Sequence, residues 1–201
     1  MNSLADAWKN EEVFKDQYEL NLYELDHYPN HWNIFISTVS ALRPTIQSVL
    51  DVGCGAGIFY ELCRRHFPHI KYTGVDYAEE AIKLASEKWD HPEFYVRDYR
   101  DLTTEDAEQY DLLHAGAMLD VLPNGDEALE HLVSLGFKHL LLGRVKLTDK
   151  ASYSEEYIAY DKIRTVAYYH NIDSFRDICE QAGYATMIMP SPDTILLKKN
   201  D

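Results

Sequence analysis

The spacing of apolar residues changes along this chain, and each change marks an element. Val49, Leu50 and Val52 form a run apolar on both faces, the pattern of a strand buried inside a parallel sheet. Short runs of the same kind recur at residues 72–76, 94–98, 110–114 and 137–145, the last carrying Leu140, Leu141 and Leu142. Between them the period lengthens to that of a helix. Residues 58–67 make one such stretch, stopped by Pro68; residues 79–89 make another, with Ile82, Ala85 and Trp89 facing inward. A short helix follows, with Asn124 or Asp126 as its cap and Gly136 closing it. Residues 173–182 predict a last helix ending at Gly183, and residues 184–189 and 194–199 a hairpin around Pro190, Ser191, Pro192 and Asp193. Such alternation predicts a doubly wound α/β fold.

Two segments lie outside the alternation. Residues 1–47 read as a helical cap: Trp8, Val13, Phe14, Tyr18, Leu22 and Leu25 recur at helix-like intervals, and after Pro29 so do Trp32, Phe35, Ile36 and Val39. At this spacing the aromatics suit packing against the sheet. Residues 148–170 are polar and tyrosine-rich, with Tyr153, Tyr157 and Tyr160 at helical spacing. They predict an amphipathic helix, either a substrate lid after the fifth strand or a plain packing helix. The expected division is a cap over 1–47 and a main domain over 48–201.

The first strand stops at Gly53, Gly55 and Gly57, where the backbone can take positive φ or approach a ligand closely. A helix then opens with its free N–H groups aimed over the loop. Asp76 ends the second strand 23 positions after Gly53, the spacing at which a carboxylate reaches ribose hydroxyls. The dinucleotide fingerprint wants a glycine at its sixth place, which here is Ile58, so an NAD-dependent oxidoreductase is the weaker reading. Asp51, two residues before the first glycine, suits a cationic amine better than a pyrophosphate.

With Asp51, Gly53, Gly55 and Gly57 in this order, the chain resembles the class I (Rossmann-like) methyltransferases that use S-adenosylmethionine (SAM). The resemblance covers residues 48–199, most strongly 51–120, and implies a seven-stranded, mostly parallel sheet whose last hairpin strand is antiparallel. It implies that Asp51, Gly53, Cys54, Gly55 and Gly57 form the loop around the methionine end of SAM and that Asp76 holds the ribose. Tyr77 would pack on the adenine, Asp98, followed by Tyr99, would accept from its amine, and Ala115 and Gly116 would line the methyl end. His114 and Asp120, at and after the end of the fourth strand, are the candidate bases for an oxygen or nitrogen acceptor, ahead of His170 and Asp161. A non-catalytic SAM-binding partner protein is the alternative, because binding and turnover use different residues.

Charge narrows the acceptor. Asp and Glu number 34 against 19 Lys and Arg, a net −15 with pI ≈ 4.9. Nucleic acid and anionic membrane surfaces are bound through cations, so the balance disfavours both. Together with the mixed charge and lack of a basic cluster in residues 1–30 and 148–170, the expected mouth of the pocket, it predicts a small-molecule acceptor, neutral or cationic. Cys54, Cys63 and Cys179 form no paired framework and the histidines no metal-ligand spacing with them, so no metal is expected. A reducing cytoplasm is the expected location, and neither a signal peptide nor a membrane-length apolar run is read.

Overall fold

The doubly apolar runs become the inner strands of one sheet. In the computed structural model, which describes residues 4–43, 45–90 and 93–200, the parallel strands are β1 (Ser48–Val52), β2 (Lys71–Asp76), β3 (Phe94–Val96), β4 (Leu112–Gly116) and β5 (His139–Gly143). A second, smaller sheet is made of β6 (Lys146–Thr148), β7 (Tyr153–Ala159) and β8 (Ile163–Asn171). The main sheet closes with β9 (Thr186–Ser191) and β10 (Thr194–Lys198), β10 running antiparallel to both β5 and β9. Its seven strands follow the order β3-β2-β1-β4-β5-β10-β9, the mostly parallel sheet with an antiparallel hairpin that the sequence implied.

Helices cover both faces because both faces are apolar. Val49 and Leu112 point to one side, where α2 (Asn30–Leu42), α3 (Ile58–His66) and α4 (Glu79–Trp89) bury Trp32, Phe35, Leu62 and Ala85. Leu50, Leu113 and Leu140 point to the other, against α6 (Gly125–Ser134) and α7 (Ile172–Gln181), with the short α5 (Thr104–Gln109) between β3 and β4. Each such leucine, fully buried, contributes ~1.5–3 kcal/mol.

The expected cap divides into two parts. α2 belongs to the layer packed on the sheet, whereas the short 3-10 turn Leu4–Trp8 and α1 (Glu11–Glu24) lie over the carboxyl ends of the strands. Asn10 caps α1 by accepting from the N–H groups of Glu12 and Val13 at 3.0 and 3.2 Å.

The helix expected over residues 148–170 is not there. β7 and β8 form an antiparallel hairpin instead, in register Tyr157↔Thr165, and β6 pairs with β8. Tyr153 and Tyr157 lie on the same side of β7, and Tyr160 sits in the turn. Two chain spacings produced the misreading: a four-residue interval fits one helical face and one strand face equally well. The hairpin docks on the cap through Val13, Ala159 and Ile163, with Lys162 Nζ 2.6 Å from Asp16.

Candidate active site

Strand order reverses between β1 and β4, and the crevice of such a sheet opens at that reversal, above the carboxyl ends. The glycine loop leaves β1 there. Gly53, Gly55 and Gly57 have φ of 71, 51 and 80°, so all of them use the left-handed region as the sequence reading requires. The loop is held from several sides. Gly53 and Cys54 N–H groups donate to the Val75 carbonyl, Trp89 Nε1 donates to Ala56 O at 2.7 Å, and Met118 lies against Gly53. Cys54 turns away into the core, where burial pushes its thiol pKa well up and leaves it inert.

Asp76 closes the loop from β2. It is 6% exposed; its Oδ2 accepts from Gly55 N–H at 3.0 Å and its Oδ1 from Ala78 N–H at 2.9 Å. Burial pushes its pKa up to about 6, with those two N–H groups pulling the other way. Half-buried Tyr77 follows, with Lys9 Nζ 5.1 Å from its ring centroid.

Asp51 occupies a different place from the one its sequence position suggests. It is 1% exposed beneath the loop, where its Oδ2 accepts from the Tyr72 hydroxyl at 2.5 Å and its Oδ1 lies 2.7 Å from His114 Nδ1. Register explains the meeting: Asp51 on β1 and His114 on β4 are direct partners, and β2 brings Tyr72 from the other side. Burial and Asp51 keep the Tyr72 pKa well above its ordinary value, so Tyr72 stays a donor. His114 itself is 2% exposed, wedged between Phe35 and Phe59 with ring centroids at 4.8 and 4.3 Å. Its Cε1–Nε2 edge lies under Gly116, where a Cβ would come within 2.9 Å of Cε1; Gly116 is thus a close-approach glycine. Ala115, the next residue of β4, is buried on the other face of the sheet, in the cluster that holds Leu50, Val52 and Met118.

The remaining predicted residues stand further out. Asp98 is engaged by Arg100, whose Nη2 and Nε reach its two oxygens at 2.6 and 2.9 Å, and this ion pair holds its pKa low. Tyr99 packs edge-on against His131. Asp120, 2% exposed in the 3-10 turn Leu119–Val121, has Lys146 Nζ 3.4 Å from Oδ2 and no partner for Oδ1. Burial raises its pKa, with Arg144 and Lys146 opposing. His170 is fully buried with Nδ1 2.6 Å from Asp126 Oδ1, tying β8 to α6 rather than opening on the crevice. Asp126, expected as a helix cap, makes this bond instead.

Sequence reasoning missed Gln17, Arg144 and Lys146. Gln17 Oε1, from α1, accepts from Ala56 N–H at 3.0 Å and sits where a Cβ on Gly55 would fall, 2.6 Å away. Nothing distinguishes it in a polar helix sequence. Arg144 and Lys146 directly follow β5, a position at the carboxyl end of the sheet that could have flagged them.

Comparisons with known proteins bear on the family and the fold. A family model described as a methyltransferase domain matches residues 25–187. The ubiquinone biosynthesis O-methyltransferase of Bordetella avium (strain 197N) is 29% identical over 134 residues, covering 64% of this chain and 50% of that protein. The trans-aconitate 2-methyltransferase of Escherichia coli O7:K1 (strain IAI39 / ExPEC) is 35% identical over 97 residues, 48% of this chain and 38% of that protein. The chain thus spans half the length of these curated relatives or less. Among solved structures, magnesium protoporphyrin IX methyltransferase from Synechocystis PCC 6803, crystallised with bound SAM, gives a TM-score of 0.56 at 19% identity, covering 84% of this chain and 78% of that one. That last likeness is one of fold. The family match runs from the end of α1 through the glycine loop and both strand-end acids into β9, and on it this chain belongs to the methyltransferase domain family, in its class I, SAM-dependent form.

Proposed function

We propose that this chain transfers the methyl group of SAM to an oxygen or nitrogen of a small molecule. The observation that carries the reading is Asp76, a buried carboxylate anchored by backbone N–H groups of Gly55, Ala78 and Tyr77, which as an acceptor-only group retains capacity for a donor above. The surrounding residues fit the cofactor: three left-handed glycines make a wall without Cβ atoms, and Tyr77 offers an aromatic face. In this reading Asp76 accepts from the ribose, Gly53, Cys54, Gly55 and Gly57 pass their backbone beside the methionine moiety, and Tyr77 packs on the base. Asp98 accepts from the adenine amine with Tyr99 beside it, and Ala115 borders the methyl end. Asp51 acts from beneath, holding His114.

Bound SAM supplies a methyl carbon activated by the adjoining sulfonium. The chain's share is to align an acceptor with that carbon and to keep water out. The cap and the β7–β8 hairpin serve the second task. His114 takes the acceptor's proton: with Asp51 accepting from Nδ1–H, Nε2 is the basic nitrogen, on the ring edge beneath Gly116. Asp120, with a free oxygen, is the second proton acceptor on the wall. The net −15 supports a small molecule over nucleic acid or an anionic membrane surface. Among the described residues no helix is long and apolar enough to cross a membrane, and three buried free thiols support a cytoplasmic location.

The test is transfer of labelled methyl from SAM to a small-molecule cell extract, with the product found by mass spectrometry. His114→Ala is expected to lower turnover by about a hundredfold or more while SAM affinity stays within about twofold. SAM binding without any transfer would favour the non-catalytic partner protein, and a wild-type rate in His114→Ala would return that histidine to packing.

A further inference from the structure

Just past β5 the chain places a cation whose charge acts on Asp120 but which no described residue hydrogen-bonds or ion-pairs. Its last residue, Gly143, lies beside Gly116 of β4, and Ala117 N–H donates to the Gly143 carbonyl at 3.0 Å. The next residue, Arg144, is exposed, takes φ of 60° and makes no hydrogen bond or ion pair among the described residues. Left-handed backbone at a non-glycine residue is strained, and such strain gathers at binding positions. Lys146, two residues on, is already committed to Asp120 at 3.4 Å, with the Tyr157 and Tyr169 ring centroids at 5.9 and 5.7 Å.

The Arg144 charge reaches Asp120, His31, Tyr157 and Tyr160, which arrive from three different parts of the chain. Its chain neighbours fix that place independently: Gly143 pairs with Gly116, and Lys146 Nζ reaches Asp120 of the Leu119–Val121 turn and lies over Tyr157 of the β7–β8 hairpin. In the same wall Asp120 Oδ1 and Thr165 Oγ1 are buried without a partner, although buried polar atoms are almost always bonded. A hydroxyl on an incoming molecule would satisfy Asp120 Oδ1, which a carboxylate, having no donor, would not.

We propose that the methyl acceptor carries a carboxylate and that Arg144 binds it, with Tyr157 and Tyr160 flanking the acceptor's body. The proposal rests on the methyl-transfer reading above. A guanidinium presents a planar fork that matches two carboxylate oxygens, which neither Lys146 nor a tyrosine hydroxyl can do. Gly116, the register partner of the preceding Gly143, covers the edge of His114, so an acid held at Arg144 lies within one small molecule's length of the candidate base. The net −15 does not forbid this, because charges beyond ~8 Å are largely screened at physiological salt. The expected neutral or cationic acceptor was drawn from residues 1–30 and 148–170, which leave out Arg144 and Lys146.

The test is methyl transfer from labelled SAM to a defined panel: hydroxybenzoates, hydroxycinnamates and aliphatic di- and tricarboxylates, each beside its neutral amide, an amine and a phosphate analogue. At least one acid is expected to be methylated with kcat/KM about thirtyfold or more above its amide, a preference that falls to within about threefold in Arg144→Gln. Arg144→Lys keeps a charge without the fork and retains part of the preference. Unchanged melting temperatures in both variants exclude misfolding as the cause. Amides, amines or phosphates methylated as well as the acids overturn the proposal. So does a preference that survives Arg144→Gln, or SAM binding with no transfer to any acid. Failure to bind SAM at all removes the underlying reading, and this one with it.

Discussion

Protonation of Asp76 gives the cofactor assignment a quantitative test. Burial moves its pKa from the ordinary 3.8 to about 6, which at roughly 1.4 kcal/mol per pH unit corresponds to ~3 kcal/mol. Between those values the folded chain binds more protons than the unfolded one. This carboxyl's contribution to stability therefore falls as pH rises from about 4 to about 6 and stays level above that. Ribose hydroxyls donating to Asp76 favour its charged form, so bound SAM draws the pKa back down and binding expels a proton near pH 6. With the free-state pKa at about 6 and a bound-state value well below 5, affinity weakens about tenfold from pH 7 to pH 5. Calorimetric titration with SAM at pH 5.5, in two buffers of different ionisation enthalpy, measures the proton directly. Asp76→Asn should abolish both the proton release and the pH slope, since an amide does not titrate. A wild-type Kd constant from pH 5 to pH 7 without proton release would falsify the assignment, and the same slope persisting in Asp76→Asn would move it to another group.

Two other substitutions probe the loop and what lies under it. Gly55→Val places a Cβ about 2.6 Å from Gln17 Oε1 on a backbone of φ 51°, and is expected to remove the SAM-induced rise in melting temperature; an undiminished rise in a folded variant refutes the loop's role. Asp51→Asn disturbs the bonds to Tyr72 and His114 together, and should cost on the order of 2–4 kcal/mol in urea unfolding and lower turnover about tenfold or more, with SAM affinity near wild type. A loss confined to SAM affinity would mean that Asp51 contacts the ligand after all.

What could be read from the sequence follows from where burial leaves a one-dimensional trace. Strands covered on both faces keep continuous apolar runs, so β1, β4 and β5 were legible, and the left-handed loop had to be built from glycines that spelled it out. The β7–β8 hairpin left neither trace. β8 buries residues of both parities, Thr165 and Ala167 on one side and Val166 and Tyr168 on the other, so its alternation vanishes. The turn joining the two strands places Tyr160 and Asp161 at φ 54° without the Asn-Gly or Asp-Gly pair that normally announces such a turn.

The centre of the candidate site was hidden for a third reason, one that no local pattern could have removed. Asp51, Tyr72 and His114 are separated by 21 and 63 positions, and they meet because β1 is flanked by β2 and β4. From the sequence Asp51 is a lone acid before a glycine loop, and a ligand amine is the only cation in view. In the folded chain two donors reach it first, and no solvent-facing edge remains. A carboxylate this buried needs those partners, because an unpaired charge there would cost several kcal/mol. Topology thereby changes what the residue touches: Asp51 holds the ring of His114, and in the proposal above the cation that meets an incoming substrate is Arg144, just past β5 on the other edge of β4.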